Sequence, residues 1–147
     1  MADLKVTITE ALKLQGNNQG ATHTKTISGI NEASRRVVNV ITGTAGTEII
    51  KTAATDGAGT YKTNNIRYIR ITNLDSSNYV LLSLEASSHW AQVKVEAGKS
   101  FILGTANGFD NVDTSTNYGS YSAVDITRIK AQANTAAVDL EVFIATA

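Results

Sequence analysis

The sequence predicts an all-β protein, an antiparallel sandwich or barrel of about eight to ten short strands. Apolar and polar residues alternate with period two from one end of the chain to the other, which is the mark of strands with one buried face. Turn-forming clusters recur about every ten residues, and no window of eleven or more residues carries the 3.6-residue apolar spacing of a helix. With 147 residues the chain fits a single domain over 1–147, able to bury roughly 70% of the surface its unfolded form exposes.

The elements follow in order. Leu4, Val6 and Ile8 alternate with Lys5, Thr7 and Thr9 as an N-terminal strand, and "GNNQG" (16–20) reads as the turn after it. "INEASRR" (30–36) has room for one helical turn at most. "RRVVNVIT" (35–42) and "TEIIKT" (47–52) read as strands around the loop "GTAG". "NIRYIRIT" (65–72), "NYVLLSLEA" (78–86), "WAQVKVE" (90–96) and "SFILG" (100–104) follow, separated by "NLDSSN" and "EAGKS". In "NLDSSN" the side chains of Asn73, Asp75, Ser76, Ser77 and Asn78 are expected to bond the backbone at a corner rather than to hold a ligand. The longest stretch without strand character is 107–122, then "AVDITRIKAQA" (123–133) and a last strand with Val138, Leu140, Val142 and Ile144 on its buried face.

Composition narrows the function classes. Without Cys there is neither a disulfide nor a thiolate metal site, and His23 and His89 are too few for a histidine-based zinc site, so no metal and no cofactor is expected. Thirteen basic and thirteen acidic residues, scattered singly, leave no electrostatic footprint for nucleic acid or an anionic membrane. No apolar run approaches a signal peptide or a spanning helix, so the chain is expected to be made and kept in a cytoplasm unless something other than a signal peptide releases it. Low charge, at 18%, with abundant Thr and Ala suits a β-rich module packed in an assembly, and the lack of Pro leaves strand edges to be protected by other means, neighbouring subunits among them.

Motifs of catalysis are weak. "EAGKSF" ends like a phosphate-binding loop, but position 93 is Val where the first Gly belongs and a strand follows, so a turn between strands explains it. "GTAGTE" lacks the third Gly and the helix of a dinucleotide site, and Asp110, Asp113 and Asn117 lack the register of a calcium loop. Ser87 and Ser88 precede His89, yet no nucleophile elbow exists and strand neighbours diverge, so no catalytic residue is expected and the chain is read as no enzyme. The informative side chains are aromatic: Trp90 at a strand start, with Phe109, Tyr118 and Tyr121 on the long loop. Such rings cap a core, form a protein interface or stack on a sugar.

"YIRITNLDSSNYVLLSLE" followed by "WAQVKVEAGKSFILG" resembles small virion structural proteins of tailed bacteriophages, over Ile66 to Leu103, about a quarter of the chain. The resemblance implies a jelly-roll-like β-sandwich and a non-enzymatic role as a capsid decoration (cement) protein on the phage head. The alternative is a tail or collar component or a receptor-binding, carbohydrate-binding module of the tail. It implies the major capsid protein or other virion proteins as partners, a homo-oligomer with a trimer favoured, and assembly in the host cytoplasm into the virion. Residues 1–20 then become an arm or edge strand against a neighbouring subunit, with Leu4, Val6, Ile8 and Leu12 as contacts beside Trp90, Phe109, Tyr118 and Tyr121.

Overall fold

The computed structural model describes residues 1–87, 89–107 and 124–147. The chain opens as a long two-stranded ribbon: β1 (Ala2–Thr9) pairs antiparallel with β4 (Thr22–Ile30), and β2 (Lys13–Leu14) with β3 (Asn17–Asn18). The register runs unbroken from the Leu4–Ile27 pair to the Leu14–Asn17 pair, bridged by bonds from Glu10 N to Ala21 O and from Gln19 N to Leu12 O, both 2.8 Å. The reversal lies at Gln15 and Gly16, with φ of 49° and 85°, not at 16–20 as the cluster of Gly and Asn suggests. Two successive positive φ values match the twist of a two-residue hairpin, and the Gly supplies the second without strain.

Beyond the ribbon, eight strands build two sheets. One, in the order β11-β8-β13-β5, contains β5 (Glu32–Val40), β8 (Ile66–Asn73), β11 (Ser100–Leu103) and β13 (Val138–Thr146). The other, in the order β10-β9-β12-β6, contains β6 (Thr47–Ala53), β9 (Val80–Ala86), β10 (His89–Val95) and β12 (Arg128–Ala133), with the two-residue β7 (Tyr61–Lys62) parallel to β6 at its edge. The pairs β5 with β13, β6 with β12, β8 with β11 and β9 with β10 are the rungs of one long hairpin whose tip is the β9–β10 turn. That hairpin is rolled so that each other connection changes sheet. The result is a jelly roll, an antiparallel sandwich of the predicted all-β class.

Alternation dictates which side chains meet inside, except at Ile49–Ile50, where a register shift in the β6–β12 pairing turns two consecutive side chains inward. Ile69 and Ile71 of β8 and Leu140, Val142 and Ile144 of β13 face Leu82 and Leu84 of β9, Ile129 of β12 and Ile49 and Ile50 of β6, all at most 4% exposed. Branched aliphatics fit this pleated interior, and each fully buried one contributes about 1.5–3 kcal/mol relative to exposure.

Two local expectations are corrected. "INEASRR" has no helical turn: it is extended, because Asn31 N donates to Thr146 O at 2.9 Å and Glu32 onward pairs with β13. Ladder bonds to a neighbouring strand outweigh the weak helix propensity of seven residues. The N-terminal strand does not bury its face in the sandwich. Leu4 and Val6, with Ile27, pack outside it on Tyr68, Phe143 and Ala145, on the back of the β8–β13 pair. The described helical structure is one 3₁₀ turn, Thr63–Asn65.

Candidate functional site

Two surfaces stand out, on opposite backs of the sandwich. The first is the ribbon. Residues directly opposed across a hairpin share a face, so Leu4 with Ile27, Val6 with Lys25 and Ile8 with His23 lie on one side, and Leu12 and Leu14 continue the same stripe. The other side is a threonine ladder, with the Thr7 and Thr24 hydroxyls 3.2 Å apart and Thr22 Oγ1 donating to Thr9 Oγ1 at 3.5 Å. The base of the stripe is half-buried on the sheet, but Ile8, Leu12 and Leu14 are 47%, 54% and 58% exposed. The apolar face therefore continues past the surface that covers its base.

The second surface is a cleft of about 370 Å³ on the back of the β10-β9-β12-β6 sheet. Strand register sets its side chains in rows: Trp90 opposite Glu85 opposite Arg128, then Gln92 opposite Ser83 opposite Lys130. Trp90 is 62% exposed. Gln92 Nε2 donates to Ser83 Oγ at 3.1 Å. Glu85 forms ion pairs with two cations, Arg128 Nε at 3.2 Å and Lys130 Nζ at 3.3 Å. The loop Thr44–Gly46 forms one wall: Gly46 has φ of 66°, a left-handed conformation that glycine takes without strain, and it packs close to Ala131 and Lys130 of β12.

Ser87 and His89 also line the same cleft. Both Glu85 oxygens are engaged by cations, so this carboxylate serves here as a fixed acceptor. His23 is exposed on the ribbon. Among the described residues no group of three or more His, Asp or Glu is gathered as a metal site, and no helix is long and apolar enough to cross a membrane.

The "NLDSSN" knot is a corner. Asp75 Oδ1 accepts from the backbone of Ser77 at 2.7 Å and of Asn78 at 2.6 Å, and these bonds, Asn78 first, hold its carboxyl below the ordinary value of 3.8. Fully buried Asn73 donates to Asn78 O at 2.8 Å and Val95 O at 3.2 Å while its Oδ1 accepts from Asp75 N at 2.9 Å. "EAGKS" is likewise a turn, closed by Lys99 N on Glu96 O at 3.0 Å.

Of the residues singled out in the sequence, Leu4 and Val6 are half-buried at the ribbon base, Ile8 and Leu12 are exposed along it, and Trp90 stands in the cleft. Phe109, Tyr118 and Tyr121, with Asp110, Asp113 and Asn117, lie outside the described residues. The expected contact segment, around Leu4 to Leu14, takes in the exposed Leu14, while sequence reasoning missed the partners of Trp90. The outward parity of Glu85, Gln92 and Lys130 was readable, but which strands pair was not. No family model, curated protein or solved structure matches this chain.

Proposed function

We propose that this chain is a non-enzymatic structural protein of a virion, a capsid decoration protein that fastens to the head and to further copies of itself through its N-terminal ribbon. One observation carries the reading: the apolar stripe of Ile8, Leu12 and Leu14, continuous with a base that already packs on a sheet back, stands open to solvent. An apolar row of this kind gains free energy on leaving water, and a hairpin that projects from a rigid sandwich can reach a neighbouring subunit. The receiving surface in this reading is the same kind of back, on the next copy, with the exposed Ile102 beside Arg70. Many modest contacts repeated over a shell add up to resistance against rupture.

Two further points support it. The stretch Ile66 to Leu103 that carries the phage resemblance forms β8 to β11, the centre of the roll. Jelly rolls also recur in viral capsids, a likeness of fold that counts only as analogy. A place on the tail or collar would use the same ribbon. Mass spectrometry of intact particles from the cells that make this chain tests the proposal: it predicts the protein among shell components in many copies per particle, and its absence from the particles refutes it.

A further inference from the structure

Beyond attachment, we propose that the cleft on the back of β9, β10 and β12 binds one pyranose ring of a saccharide, stacked on Trp90 and held by Glu85, Gln92 and Lys130. Trp90 is on the outward parity of β10, opposite to the face that bears Val93 and Val95, so its indole adds nothing to the sandwich core and is left 62% exposed. A pyranose pairs an apolar C–H face with a rim of hydroxyls. An indole presents a broad electron-rich face to the former. The latter need planar donors and acceptors already fixed in place, since side chains ordered only on binding subtract from affinity.

The cleft supplies them. The Gln92 amide is oriented by its bond to Ser83 at 3.1 Å, and the Glu85 carboxylate is clamped between Arg128 and Lys130 at 3.2 and 3.3 Å. With the Thr44–Gly46 loop as a wall, the cleft's volume of about 370 Å³ is near the lower end of ordinary ligand sites, about 300–1,000 Å³. A single-stranded nucleic acid would need successive stacking platforms along a basic track, whereas this back offers one tryptophan, with Glu48 and Glu85 set among its cations.

The chain has one Trp, so its intrinsic emission reports this cleft alone. The experiment titrates the full chain with methyl glycosides of glucose, galactose, mannose, N-acetylglucosamine and glucuronic acid, after a glycan array has ranked longer saccharides. At least one saccharide is expected to shift the Trp90 emission saturably. Array binding should fall about tenfold or more for Trp90→Ala, recover in part for Trp90→Phe, and fall several-fold for Gln92→Ala and Glu85→Gln, with unchanged thermal unfolding throughout. Leu12→Asp on the ribbon should leave sugar binding intact, which separates this proposal from the shell reading. No saccharide retained on the array with no change in Trp90 emission, binding indifferent to Trp90→Ala, or binding of an oligo-dT strand in place of sugars would each overturn it.

Discussion

The two sheets turn unlike backs to the outside. On the β8–β13 back the outward residues Tyr68, Phe143 and Ala145 are apolar and lie under Leu4, Val6 and Ile27 of the ribbon, with Tyr68 and Phe143 edge to face at 6.0 Å between ring centroids. On the β9–β12 back the outward positions include Ser83, Glu85, Gln92, Arg128 and Lys130, with Leu81 half-buried and Trp90 exposed as the large apolar groups. Each back carries a carboxylate shared by two cations, Glu141 by Arg35 and Arg70 at 3.1 and 2.6 Å, and Glu85 by Arg128 and Lys130. The difference lies in cover. A strand apolar on both parities signals that something packs on its back, and a strand polar on its outward parity signals a back that water reaches.

Substitutions at graded depth sharpen this contrast. Leu140→Ala, between the sheets, should cost about 2–5 kcal/mol by chemical denaturation. Asn73→Ala should cost about 2–3 kcal/mol, because it strips the partner from Val95 O and Asn78 O at the corner. Phe143→Ala, half-buried under the ribbon, should cost about 2 kcal/mol, less than the 3–5 kcal/mol of a fully buried Phe, and should speed hydrogen exchange at Lys5 to Ile8 while sparing β9 and β12. Equal loosening of both backs would break the comparison. Gln92→Ala on the open back should change stability by under about 0.5 kcal/mol.

The smallest effect is one of pH. The Asp75 carboxyl titrates below its ordinary value when folded, so its contribution is complete above about pH 3.8 and fades as pH falls through the lower folded value. Asp75→Asn should flatten the acid limb of the melting temperature against pH, and an unchanged limb would show that the corner bonds do not favour the ionised form.

Much of the sandwich was legible because its strands follow simple parity. The alternation of Val138, Leu140, Val142 and Ile144 marks the core face of β13, and the polar atoms of Asn73, Asp75 and Asn78 mark the corner. The ribbon was legible only in part. Period two reports that one face of β1 is apolar, not whether that face meets the core, a sheet back or solvent, and the Gln15–Gly16 turn is masked by the richer Gly and Asn cluster beside it. The cleft was least legible. Trp90 is conspicuous by type, and Glu85 and Ser83 face its strand across the short β9–β10 hairpin, but Arg128 and Lys130 join them only through the pairing of β9 with β12, strands more than forty residues apart, a long-range choice that local pattern leaves open.

The central claim is that the outer half of the ribbon exists to be covered by another subunit. Light scattering of the purified full chain at micromolar concentration tests it most directly, with Ile8→Asp, Leu12→Asp and Leu14→Asp combined as the comparison. The account predicts a wild-type mass at a multiple of 15.6 kDa, a trimer for preference, and a folded 15.6 kDa monomer for the variant. A wild-type monomer, or an oligomer indifferent to the three charges, would contradict it.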